Sequence, residues 1–159
     1  MKTTKFLAAA LVAALLGACA TPQAPSPITD TAQRTPQLST LTKLINDAGL
    51  AETLRGPGPF TVFAPSDEAF KAVPAKTLDE LSKDKELLKS VLTYHVLPSK
   101  VMAADISGKK TAAKSVEGGD VMVDATDGVK INDGKVVTAD VAASNGVIHA
   151  IDTVLMPKM

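Results

Sequence analysis

The sequence predicts an α+β domain, and two observations predict it. Apolar residues recur at helical spacing through the first half of the chain, then give way after Asp120 to short β-branched runs. Pairs such as Asp127-Gly128 and Asn145-Gly146 punctuate those runs as tight hairpin turns do. Helices first and a meandering sheet second is an α+β order. A length of 159 residues suits one domain.

In chain order, Leu38, Leu41, Leu44, Ile45 and Ala48 predict a first helix, with Thr35 as its cap, Pro36 as its first residue and Gly49 at its end. A short apolar turn from Leu50 to Leu54 leads into the breaker Gly56-Pro57-Gly58-Pro59. Phe60 to Ala64 is β-branched and aromatic and predicts a strand that Pro65 stops. Ser66 can cap a short helix with Asp67 and Glu68 in its first turn, where the helix dipole favours acids. Thr77-Leu78-Asp79-Glu80 has the form of a capping box, and the amphipathic stretch behind it suggests one helix or two, with Asp84 as a second cap. Tyr94 to Leu97 is a brief apolar run closed by Pro98. Val121–Val123, Val129–Ile131, Lys135–Val141 and Val147–Leu155 predict four strands.

Composition narrows the function. Apolar residues make up 45% of the chain and aromatics 3%, so the core is aliphatic. Seventeen basic residues less Lys2 and Lys5, which belong to the N-terminal segment, leave 15 against 17 acidic, a net charge of −2. Such a domain offers no electrostatic case for nucleic acid. One cysteine excludes an intramolecular disulfide and a multi-cysteine zinc site.

The N-terminus is built for export. A basic start, the apolar run Phe6–Leu16 and small residues before Cys19 follow the order of a secretory signal. The run is shorter than the roughly 20 residues a bilayer span needs. Leu16-Gly17-Ala18-Cys19 resembles the lipobox of bacterial lipoproteins, which implies cleavage after residue 18 and acylation of Cys19. Several acyl chains anchor stably where one does not. Plain signal cleavage and free secretion is the competing reading. Ala20 stands where an Asp commonly marks inner-membrane retention, so the resemblance implies the outer membrane if the cell is Gram-negative. Residues 20–36, rich in Pro, Thr, Gln and Ala, are expected to form an extended tether. The expected organisation is a signal over 1–18, a lipidated cysteine and tether over 19–36, and a folded domain over 37–159.

Three boxes then carry a family resemblance. Residues 60–70 (FTVFAPSDEAF), Tyr94-His95, and residues 145–157 (NGVIHAIDTVLMP) resemble, in order, the conserved segments of fasciclin-type (FAS1) domains. Ser66 stands where many members have Thr, and both cap helices. The resemblance covers about residues 37 to 157. It implies a β-sandwich or wedge of two sheets with several helices beside it. It also implies extracellular adhesion or matrix interaction as the usual role, and, from a role of the Tyr-His motif in some animal members, partner binding as a candidate role for Tyr94 and His95.

The chemistry-bearing residues give little support to an enzyme. The competing reading of His95 is a buried core histidine with satisfied ring nitrogens, and His149 reads as a strand histidine with a structural hydrogen bond, Asp152 being a candidate for that bond or for a sheet-edge contact. Ser66 is better explained as a cap than as a nucleophile, and no nucleophile elbow is present. Asp124, Asp127, Asn132 and Asp133 lack EF-hand spacing and read as turn residues. No catalytic residue, cofactor or metal is expected. The function expected is a non-enzymatic envelope module that binds protein or glycan surfaces. The alternative is a small-ligand binder or hydrolase of the periplasm or cell surface, which a deep pocket gathering Tyr94, His95 and acids would favour, as a flat apolar patch would favour the interaction module.

Overall fold

The computed structural model describes residues 26–157. The expected signal, Cys19 and the first part of the tether lie outside the described residues. Helix α1 (Ile28–Arg34) is followed by a 3-10 turn (Pro36–Leu38), α2 (Ser39–Asp47), α3 (Ala51–Arg55), β1 (Phe60–Pro65), α4 (Asp67–Ala72), α5 (Ala75–Lys83) and α6 (Lys85–Tyr94). The second half holds β2 (Val96–Leu97), α7 (Ala103–Ile106), β3 (Lys110–Lys114), β4 (Asp120–Asp124), β5 (Lys130–Ile131), β6 (Gly134–Ala143) and β7 (Gly146–Ile151).

The strands run in the order β2-β1-β7-β6-β5-β4-β3. β1 and β7 pair in parallel, with Phe63 opposite His149, and all other pairs are antiparallel. β6 joins the two halves, pairing β5 at Gly134 and Lys135 and β7 from Val136 to Ala143, with register shifts on either side of Thr138. Such bulges bend and twist a strand.

Two apolar clusters explain why β1 and β7 are buried along nearly their whole length. Val62, Ala64, Ile148 and Ala150 face the helices and pack with Ile28, Leu41, Leu54 and Leu88. Phe63, Leu97 and Ile151 point the other way and pack with Val121, Val123 and Ile131 from the far half of the sheet. The α+β wedge implied by the resemblance is this arrangement: two sheet halves closed on one core, and helices on a second.

Several caps stand as expected. Ser66 Oγ accepts from the Ala69 N–H at 3.3 Å. Asp84 accepts from the N–H groups of Glu86 and Leu87 at 3.0 and 3.1 Å. Gly49, at φ 71°, ends α2 in the left-handed conformation that glycine adopts freely.

Other expectations are corrected. The stretch up to Pro36 is not all tether: α1 packs into the domain, with Ile28 0% and Ala32 2% exposed. Thr35 does not cap, because its hydroxyl donates to the Thr31 carbonyl at 2.9 Å. Thr77 is no cap either, since α5 begins two residues earlier, directly after Pro74. The last strand stops at Ile151 rather than Leu155. Asn145-Gly146 is not a positive-φ turn; among the described residues those angles fall at Asn132, Asp140 and four other glycines. Asn145 is instead a tie. Its Oδ1 accepts the Ile28 N–H at 3.0 Å, and its Nδ2 donates to the carbonyls of Leu54 and Gly56 at 2.6 and 3.0 Å.

Candidate functional site

Tyr94 closes α6 and His95 is the residue that caps it. Both side chains lie in the core, 5% and 2% exposed. The Tyr94 hydroxyl donates to the Asp120 carbonyl at 3.0 Å and accepts from Asn132 Nδ2 at 3.1 Å. The Leu155 N–H donates to His95 Nε2 at 2.9 Å, so Nδ1 carries the proton and donates to the Val91 carbonyl at 2.7 Å. Burial pushes the imidazole down from 6.5 to about 4, against the opposing pull of the Val91 carbonyl. His95 is therefore neutral at physiological pH.

His149 is also committed to the backbone. Its Nδ1 accepts the Asp140 N–H at 3.2 Å, and its Nε2 donates to the Val101 carbonyl at 2.8 Å. The ring stacks on Phe63 at a centroid distance of 5.7 Å. Of the two roles expected for Asp152 it takes the sheet contact and not the His149 bond, accepting from the Lys135 N–H of β6 at 2.8 Å. Thr61, unnoticed in the sequence, is fully buried; it donates to the Ser99 carbonyl at 2.5 Å and accepts from the Val101 N–H at 2.8 Å. Thr61 and His149 together pin the loop after β2. No local pattern announces this, because the partners lie 38 to 48 residues away.

An open cleft of about 720 Å³ lies beside this network. Tyr94 contributes its floor. Asp120 and Met122 of β4, the turn residue Asp133 and the segment from Thr153 to Pro157 also line it. His95 does not line it, but holds Leu155, which does. Gly119 lies close over the Tyr94 ring, where an added Cβ would come within 2.8 Å of Cε2. The structure thus brings Tyr94 to the cleft and keeps His95 behind its wall.

Asp124 and Asn132 spend their side chains on nearby groups. Asp124 accepts from the Thr126 hydroxyl and N–H at 2.6 and 3.1 Å and pairs with Lys110 at 3.0 Å. Asn132, at φ 50°, accepts from the Met122 N–H at 2.9 Å. No group of three or more His, Cys, Asp or Glu among the described residues could hold a metal ion. Asp67 has a role the sequence did not suggest: from α4 it caps α2, accepting from the Thr40 N–H at 2.9 Å and the Ser39 hydroxyl at 2.8 Å.

Comparison with known proteins agrees with this architecture. The chain is 46% identical over 124 residues to Protein sll1483 of Synechocystis sp., a match covering 76% of this chain and 68% of that protein. It is 39% identical over 140 residues to the cell surface glycolipoprotein MPB83 of Mycobacterium bovis, covering 84% of this chain and 62% of that protein. The immunogenic protein MPB70 of M. bovis is 35% identical over 137 residues, with 82% and 69% covered. The FAS1 domain pair of the insect cell adhesion molecule Fasciclin I shares the fold, with a TM-score of 0.58 and 21% identity over 75% of this chain and 45% of the pair. The family model of the fasciclin domain matches residues 36–157, which hold both core clusters apart from α1, the Tyr94-His95 pair and the cleft, and the chain belongs to the fasciclin domain family.

Proposed function

We propose that this chain is a non-enzymatic interaction module of the cell envelope. In this reading residues 1–18 export it, lipid on Cys19 anchors it to the outer membrane, and its single fasciclin domain meets protein or glycan surfaces. The observation that carries the reading is the likeness over 140 residues to a protein named as a cell surface glycolipoprotein. The sequence Leu16-Gly17-Ala18-Cys19 adds an acylation site at the end of an export signal.

The geometry supports interaction over catalysis. The chain has two histidines, and each spends both ring nitrogens on backbone partners. Neither is poised as a general base. Ser66 is occupied at a helix start. Tyr94 and His95 contribute to recognition indirectly, by fixing the floor and wall of the cleft. The second reading, a small-ligand binder, draws on the cleft itself, which gathers Tyr94 with carboxylates.

The test is Cys19→Ser in the full chain, expressed in a Gram-negative host. The parent should pellet with membranes and take up labelled palmitate. The variant should become soluble or remain unprocessed, without label. Label entering the Ser variant would overturn the anchor.

A further inference from the structure

We propose that the cleft beside Tyr94 docks a cationic peptide segment of a partner protein, with Lys or Arg side chains set between apolar ones. The proposal rests on the surface-interaction reading only in taking a protein as the partner.

Charge is the first argument. Glu117, Asp120 and Asp133 line the cleft and are exposed, and no Lys or Arg lines it. None of the three is in an ion pair among the described residues, whereas Asp30, Asp79 and Asp124 elsewhere pair with Arg55, Lys83 and Lys110. Lys114 stands opposite Asp120 in the β3–β4 pair and the Glu117 carboxylate accepts the Gly119 N–H at 3.1 Å, but the lining itself carries three carboxylates and no cation, which favours cations and disfavours anions such as nucleic acid.

Apolar surface is the second. Met122 and Met156 are 50% and 41% exposed and lie at the same cleft. Methionine is flexible and polarisable, so it adapts to varied side chains. A glycan is a poorer fit. The chain has no Trp, and the one aromatic ring lining the cleft, that of Tyr94, is 5% exposed, leaving no open face on which a sugar could stack.

Rigidity and position complete the case. The Tyr94 hydroxyl is held by Asp120 and Asn132, and the Leu155 N–H by His95, so binding need not order the floor or that wall. The chain enters the domain at Ser26, whose carbonyl accepts the Ser144 N–H just before β7 begins. The cleft lies past the other end of β7, beyond Ile151. A strand of that length spans roughly 17–20 Å. The cleft is thus set away from the end at which the N-terminal segment joins.

The test uses the full chain in detergent and a fluorescein-labelled synthetic peptide alternating Lys or Arg with Val. Asp120→Asn with Asp133→Asn removes charge at two exposed positions and should leave the thermal midpoint unchanged. Binding by the parent, weakened on the order of fivefold in the double variant and weakened by added salt, is the expected result. Amide shifts on titration should centre on Met122, Asn132 and Thr153 to Met156. Equal affinity for parent and variant, no binding by the parent, or shifts centred elsewhere would overturn the proposal. Shifts at the cleft produced by a neutral oligosaccharide but not by the peptide would overturn it in favour of a glycan. Cys19→Ser should leave this binding unchanged, so a failure of the anchor and a failure of the cleft are separately visible.

Discussion

The Leu155 N–H and His95 Nε2 meet at 2.9 Å across 60 residues of sequence. This bond fixes the imidazole tautomer and holds the C-terminal segment against α6 through the Val91 carbonyl on the ring's other side. Replacing His95 by Phe keeps an apolar ring but leaves the Leu155 N–H and the Val91 carbonyl without the ring as partner. The expected loss is about 1–3 kcal/mol in urea denaturation at neutral pH. His95→Ala adds a cavity and should cost more, about 2–5 kcal/mol. Tyr94→Ala combined with His95→Ala should therefore melt early, and any loss of cell binding in that variant would report the fold. An unchanged urea midpoint in His95→Phe would show that the bond contributes nothing.

The same burial makes stability depend on pH. The unfolded chain takes up a proton at His95 near 6.5, whereas the folded chain resists until about 4. Between those values the unfolded state binds more protons, so stability falls as the solution is acidified and is complete above about pH 7. The span corresponds to roughly 3 kcal/mol. Two carboxylates extend the loss below pH 3.8. For Asp67, burial pushes upward, but the Thr40 N–H, the Ser39 and Thr40 hydroxyls and Lys71 outweigh it and hold the carboxyl low. For Asp124, the Thr126 hydroxyl and N–H and then Lys110 bring it to about 2. Chemical denaturation from pH 7 to pH 4 should show the histidine slope in the parent and a flatter one in His95→Phe. Parallel curves would remove His95 as its source.

Local chemistry was legible in the sequence, and long-range ties were not. Ser66, Asp84 and Gly49 act within three residues of themselves, so their side chains announce their roles. Helix α1 could not be seen, because Ile28 is buried by β7 and by Asn145, more than a hundred residues away. β3, with the sequence KTAAK, has almost no buried face and shows no alternation to detect. The Tyr94-His95 pair was visible as a motif, but whether it faced a partner or the core depended on Asp120, Asn132 and Leu155, which only the fold supplies. The cleft is likewise a product of the fold, since its lining comes from four separate stretches of chain.

Gly146 should be among the least replaceable residues. It opens β7 opposite Phe60, and an added Cβ would run into the Phe60 carbonyl and the Ile28 side chain. Nothing soft lies on the carbonyl side to yield. Gly146→Ala is expected to cost about 3–5 kcal/mol, in the range of severe core damage. Gly128→Ala is the control. Its φ of 77° disfavours a side chain but its surroundings are open, so the cost should be about 1–2 kcal/mol. Equal costs in thermal denaturation would show that crowding between β1 and β7 is relieved by a small strand shift.

The extent of the folding unit follows from Asn145. Its amide holds the Ile28 N–H on one side and the Leu54 and Gly56 carbonyls on the other, so one side chain fastens α1 to the end of α3 and the start of β7. A chain begun at residue 37 keeps nearly all of the segment matched by the family model but loses Ile28 and Ala32 from the core. It would also strand the Asn145 Oδ1. Lost burial of an isoleucine and a lost hydrogen bond together predict a deficit on the order of 3–5 kcal/mol relative to a chain begun at residue 20. Calorimetry of the two chains measures it, and amide exchange at Leu41 and Ile148, which share that core, should rise in the shorter one. Equal melting would mean that α1 rests on the domain without stabilising it. The folding unit would then begin near residue 37, as composition alone suggests, rather than at Ile28.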